Sequence, residues 1–131
     1  SSAVESTVDY RLRLFAVFSD PQFACAGATE SDLNARGTPY LTATYPFNDH
    51  GKSLVMGETE GLVKLTAHRS TGEILGAAVV GPEASELIHE VVVAMRYRAT
   101  VKEFAAIPHY HPTLSEIWTY PAEEIAGLLD A

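Results

Sequence analysis

Cysteine is almost missing from this 131-residue chain, and the single one is Cys25. One thiol excludes an intramolecular disulfide, a disulfide scaffold and a redox-active cysteine pair. Cys25 therefore reads as a small hydrophobe rather than a reactive thiol. Long hydrophobic runs are missing too: nothing approaches the roughly 20 apolar residues of a membrane-spanning helix. Positive charge is scarce, with 9 Lys and Arg against 17 Asp and Glu and a formal charge of −8. That balance excludes a basic face for nucleic acid or an anionic membrane surface. The chain opens Ser1-Ser2-Ala3-Val4, without an initiating Met or a signal peptide. This opening leads us to expect a piece of a longer, cytoplasmic protein.

What is present suits one folded domain. The composition is 47% apolar and 20% charged, and a chain of this length buries about two-thirds of its unfolded surface. Residues 1–9 read as a polar tail, and residues 10–131 as a single domain. Arg11 to Phe18 alternates and then turns apolar, which predicts a strand that becomes fully buried until Asp20-Pro21 breaks it. Thr29-Glu30-Ser31-Asp32 is a capping box with Asp in the Glu position, and Gly37 ends the short helix it starts. Tyr40 to Tyr45 reads as a second strand. Asn48 to Glu60 is rich in turn formers and carries no clear period.

Gly61 to His68 and Glu73 to Val80 flank Arg69-Ser70-Thr71-Gly72 and predict a hairpin. The nearly continuous apolar character of its second arm places that arm in the middle of a sheet. Glu83 to Arg98 predicts a long helix with Ala84, Leu87, Ile88, Val91, Val92 and Met95 on its inner face. Thr100 and Glu103 form a second capping box, starting a helix that runs through Ala106. Thr113 and Glu116 have the spacing of a third, and Pro121 suits the first position of a final helix through Leu129. The architecture expected is α+β, an antiparallel sheet covered by helices in a two-layer sandwich.

Chemistry concentrates in His109-Tyr110-His111-Pro112-Thr113-Leu114-Ser115-Glu116. Three readings stand side by side. A metal site would use His109 and His111 on one face of an extended segment, but zinc takes three or four ligands, and His50, His68 and His89 are scattered. A structural reading makes Glu116 the reciprocal partner in the Thr113 capping box. A catalytic reading makes an imidazole with Glu116 behind it an acid–base pair, the carboxylate fixing the tautomer. Capping and orienting compete for one carboxylate, and spacing does not choose between them.

The string His111-Pro112-Thr113-Leu114-Ser115-Glu116, with His109 two residues earlier, resembles the C-terminal signature of the flavin-dependent pyridine nucleotide-disulfide oxidoreductases. Dihydrolipoamide dehydrogenase and glutathione reductase are members. Val17-Phe18-Ser19-Asp20-Pro21-Gln22 resembles that family's opening strand and turn. Tyr45-Pro46-Phe47 and Met56 to Leu65 resemble its loop and first hairpin arm. Thr71 to Ala77 and Val80 to Ile88 resemble its second arm and the start of its long helix. The likeness runs from about Val8 to Leu128. It departs at Arg11 to Phe15, which lacks a proline, at Tyr110, and at the tail Trp118 to Glu124. In that tail, Trp118 and Tyr120 either line a cleft or interface or pack between helices.

The resemblance implies the family's dimerisation domain. The FAD-binding and NAD(P)-binding domains are not in this chain: no GxGxxG opens a βαβ unit. The chain alone would bind neither cofactor. It further implies a homodimer in which His111 is the base and Glu116 the acid that orients it, acting on the partner subunit's disulfide. His111 and Pro112 would face the partner's flavin across a cis His111-Pro112 bond. His109 matches a variable position and is given no role. A second reading keeps the fold without the chemistry, as a free-standing interaction module.

Overall fold

The computed structural model describes residues 10–57 and 59–130. The tail expected at residues 1–9 lies outside the described residues. The five strands are β1 (Leu14–Val17), β2 (Gln22–Gly27), β3 (Tyr40–Pro46), β4 (Leu62–His68) and β5 (Ile74–Gly81). The helices are α1 (Glu30–Arg36), α2 (Gly51–Met56), α3 (Ala84–Arg96), α4 (Val101–Ala105) and α5 (Thr119–Leu129). Short 3₁₀ turns cover Tyr10–Leu12, Phe47–Asp49 and Ser115–Trp118.

The strands form one sheet in the order β1-β2-β5-β4-β3, and every neighbouring pair is antiparallel. The apolar second arm of the hairpin, β5, is the central strand, as its composition requires. His68 accepts at its carbonyl from the Gly72 amide and donates its own N–H to Glu73. Gly72 turns the chain at φ +76°, a conformation that side chains resist.

α3 packs over β2 and β5, and α5 over β3 and β4. Ala24, Ala26, Ala43, Val63, Leu65 and Val79 meet the helices from the inner sheet face, and all are buried. Ala84, Leu87, Ile88, Val91 and Met95 of α3 are buried on the expected stripe, and Val92 is half-buried. Both capping boxes form. Thr29 and Asp32 exchange bonds of 2.9 and 3.1 Å, and Thr100 and Glu103 exchange bonds of 3.0 and 3.2 Å. α4 ends at Ala105, one residue earlier than expected. Gly37 closes α1 in the left-handed conformation, φ +67°, as a glycine C-cap does.

Several expectations need correction. The run from Arg11 begins with a 3₁₀ turn, and β1 is not buried: Leu14, Phe15 and Val17 are each more than 40% exposed. β1 is an edge strand paired only with β2, so its apolar side chains lack a second layer among the described residues. β2 was not anticipated, because Ala24, Cys25, Ala26 and Gly27 have weak strand propensity. Its small inward residues let α3 approach. The stretch Asn48 to Glu60, without clear period, contains α2. Pro121 is the third residue of α5 rather than its first, since the helix continues directly from the 3₁₀ turn. The missing N–H still falls among amides without an intrahelical acceptor, so the helix tolerates it.

Candidate active site

The loop from Ala106 to Leu114 leaves α4, meets α3 at Glu90 through His109 and enters the 3₁₀ turn that holds Glu116. Its internal bonds fix it. Thr113 Oγ1 donates to the Tyr110 carbonyl at 2.7 Å and accepts from the Glu116 amide at 3.3 Å. The His111-Pro112 peptide is cis, as is Asp20-Pro21.

Glu116 is 8% exposed, and its carboxylate turns toward His111. His111 Nδ1 lies 2.9 Å from Oε1 and 3.0 Å from Oε2. Only half of the third capping box therefore forms: the Thr113 hydroxyl takes the Glu116 amide, while the Glu116 carboxylate serves the ring. A carboxylate accepts, so Nδ1 donates. The neutral ring then carries its lone pair on Nε2, and the His111 side chain is 75% exposed. Among the described residues, no bond occupies that nitrogen. A polarised imidazole with a free Nε2 can take a proton from a group outside this chain and return it.

His109 goes elsewhere. Its Nδ1 donates to the Ile107 carbonyl at 2.8 Å, and its Nε2 lies 2.8 Å from Glu90 Oε2 on α3. The two histidines diverge instead of sharing a face. Among the described residues no group of three or more His, Cys, Asp or Glu side chains could hold a metal ion.

The sequence alone did not single out His50. It is fully buried, directly behind Glu116. Its Nε2 lies 3.5 Å from Glu116 Oε1, and its Nδ1 lies 3.0 Å from Ser53 Oγ. Burial lowers its pKa, with Glu116 pulling it up less strongly and His111 adding a smaller downward push. The only trace in sequence is a histidine three residues before a serine at a helix start, which is too common to notice.

The two aromatic residues of the tail separate. Trp118 is fully buried and donates its indole N–H to the Leu87 carbonyl at 2.9 Å, so it packs between helices. Tyr120 stacks on Tyr45, with ring centroids 4.2 Å apart, and presents an edge to His50 at 6.2 Å.

The sheet of the described residues is antiparallel throughout, unlike the parallel βαβ unit whose glycine-rich turn binds dinucleotides. No helix among them is long and apolar enough to cross a membrane.

Comparison with known proteins places this architecture. Residues 15–122 match the family described as the pyridine nucleotide-disulphide oxidoreductase dimerisation domain. A dihydrolipoyl dehydrogenase of Halobacterium salinarum is 41% identical over 122 residues, covering 93% of this chain and 26% of that protein. One from Cupriavidus necator is 38% identical over 110 residues, covering 84% of this chain and 23% of that protein. The structure of LpdA from Mycobacterium tuberculosis superposes with a TM-score of 0.85 at 32% identity, covering 92% of this chain and 26% of LpdA. The chain thus spans about a quarter of the length of these relatives. The match is to the FAD- and NAD-dependent group, and it falls on the dimerisation part alone. This chain belongs to the pyridine nucleotide-disulphide oxidoreductase family, as its dimerisation domain, and is similar to those of dihydrolipoyl dehydrogenases.

Proposed function

We propose that this domain pairs two subunits of a dihydrolipoyl dehydrogenase-like flavoprotein, and that His111 with Glu116 serves as the acid–base pair of the partner subunit's dithiol/disulfide site. The observation that carries this reading is the His111 ring, held at Nδ1 by a nearly buried carboxylate while Nε2 faces out of the chain. A base used within its own subunit would have a cleft of that subunit in front of it.

The chemistry follows from thiol acidity. A dithiol at neutral pH is mostly protonated, and only a thiolate attacks a disulfide. His111 Nε2 takes the proton of one substrate thiol. The thiolate attacks the enzyme disulfide, one S–S bond forms as another breaks, and an enzyme thiolate leaves. The second substrate sulfur then attacks the first, closing the substrate disulfide and expelling the second enzyme sulfur, which takes the proton of that second thiol. Two electrons have passed from substrate to the enzyme sulfurs. Glu116 stabilises the imidazolium while it holds the proton.

An apolar surface suited to a twin adjoins this loop. Glu90 anchors His109, and Val93 and Tyr97 follow Glu90 at i+3 and i+7 on the same helix face. Val93 is 58% and Tyr97 77% exposed, and Ile107 and Tyr110 on the loop are exposed as well. Apolar side chains grouped in this way mark a contact surface. The dimer is expected to bury more than about 1,000 Å² in total.

The test replaces His111 with Ala in the complete oxidoreductase. Dithiol oxidation is expected to fall about 10²–10⁴-fold, with reduction of the flavin by NADH unchanged. A loss smaller than about tenfold overturns the base role.

A further inference from the structure

Glu116 is held on one side by His111, and on the other it faces a second imidazole that the base role does not require. His50 is fully buried, and its Nε2 has no hydrogen-bond partner of ordinary length among the described residues. Glu116 Oε1 lies 3.5 Å from that nitrogen. A buried imidazole nitrogen aimed at a carboxylate must carry either a proton or a lone pair, and the two have opposite consequences.

The Glu116 carboxylate decides which is present, because the Ser53 hydroxyl can serve either tautomer. A neutral ring has one N–H. If that proton sat on Nδ1, the ring would donate to Ser53 Oγ, 3.0 Å away, and the Nε2 lone pair would oppose an anion in a dry site. If it sits on Nε2, the Ser53 hydroxyl donates to Nδ1 and the Nε2–H dipole points at Oε1. The second arrangement satisfies both ring nitrogens and turns a repulsion into an attraction, which low dielectric strengthens. At 3.5 Å the contact is a long charge–dipole interaction rather than a short hydrogen bond.

The surrounding segment is built to keep the ring there. His50 immediately precedes α2, and Ser53 is in that helix's first turn. Tyr120 covers one side of the imidazole with its edge and is itself stacked on Tyr45. The Tyr45 hydroxyl is tied to the Asp49 carboxylate at 2.7 Å and to the Asp49 carbonyl at 2.9 Å. The stretch that looked irregular in sequence is a bracket around one histidine.

We propose that His50 is a positioning residue: with its proton on Nε2 and Ser53 on Nδ1, it holds the Glu116 carboxylate from behind, so that His111 is aligned by a carboxylate fixed on both sides. The catalytic meaning of this line rests on the function proposed above, whereas the tautomer of His50 and its grip on Glu116 do not.

Ring-nitrogen NMR on this chain tests it. Between about pH 6 and 8, the range in which an imidazole ordinarily titrates, His50 is expected to show the Nε2–H form, and neutral His111 the Nδ1–H form. His50→Phe keeps a ring but removes the N–H, and His111 should then lose its fixed tautomer, its two ring nitrogens moving toward averaged shifts. His50→Gln restores a donor near the position of Nε2, and the parent pattern of His111 should return. An Nδ1–H form of His50 in the unaltered chain overturns the proposal, and that measurement decides even if His50→Phe does not fold. Unchanged His111 nitrogens in a folded His50→Phe chain overturn it equally. In the complete oxidoreductase, His50→Phe should lower kcat with little change in KM. If His111→Ala has little effect there while the ring spectra behave as expected, the catalytic reading fails and the positioning of Glu116 stands. If His111→Ala has its full effect and His50→Phe leaves the His111 nitrogens untouched, only the role of His50 fails.

Discussion

Glu90 Oε2 lies 2.8 Å from His109 Nε2, while Nδ1 of the same ring lies 2.8 Å from the Ile107 carbonyl. A carbonyl only accepts, so Nδ1 carries a proton, and the contact between Nε2 and Oε2 needs another. The pair works as a clamp with one shared proton, fastening the His111 loop to α3.

The burial of Glu90 in this clamp makes stability depend on pH. Burial raises the Glu90 carboxyl above its ordinary value of 4.5, outweighing the opposing pull of His109. A carboxyl raised in the folded state favours folding below its ordinary pKa, and the gain disappears as pH rises through the raised value. Glu90→Gln removes that dependence. Urea titrations should therefore show the variant gaining on the parent as pH rises above about 4.5. Parallel curves would contradict a Glu90 carboxyl raised by burial.

Removing the other half has a different result. His109→Ala leaves the half-buried Glu90 with neither oxygen satisfied among the described residues, since its buried Oε1 already lacks a partner. An unpaired buried polar group costs about 1–3 kcal/mol. Equilibrium unfolding at neutral pH should show a loss in that range, and a neutral result would mean that the loop anchors itself by other contacts.

Trp118 joins the site to the core. It is fully buried, and its indole N–H reaches the Leu87 carbonyl. Trp118→Ala should cost about 3–5 kcal/mol, and Trp118→Phe less, through the lost indole hydrogen bond and the smaller ring. Denaturation of both variants separates volume from hydrogen bonding. A smaller loss in the Ala variant than in the Phe variant would refute this division.

Cys25 should be a slow thiol. Burial raises its pKa above 9.0, with Arg13 opposing more weakly. Little thiolate is then present at neutral pH, and the thiolate is the reactive form. Maleimide labelling of the folded chain should be slower than that of a free cysteine, and should accelerate on unfolding. Equal rates would show that the thiol is not shielded.

Thr100 caps α4 through a bond of 3.2 Å from the Glu103 amide. Thr100→Ala should cost about 1 kcal/mol, and Thr100→Ser much less, as measured by thermal unfolding. Similar losses for both would point away from the hydroxyl.

Local chemistry by itself determined much of this molecule. The Thr29 and Thr100 capping boxes, the hairpin around Gly72, the apolar stripe of α3 and the central place of β5 all follow from residues within a few positions of one another. The HPTLSE string likewise identified His111 and Glu116 as the pair to watch, though spacing left open whether Glu116 would cap or orient. Only the tertiary structure decided that, by swinging the carboxylate onto Nδ1 and leaving Thr113 with the amide. Long-range packing also decided the rest. β2 is a strand because small residues let α3 approach the sheet, whatever their intrinsic preference. β1 stays exposed because its position at the sheet edge gives its apolar side chains no covering layer among the described residues. His50 reaches Glu116 from 66 residues away in sequence, a distance over which no periodicity or motif carries information and only the fold brings two side chains together.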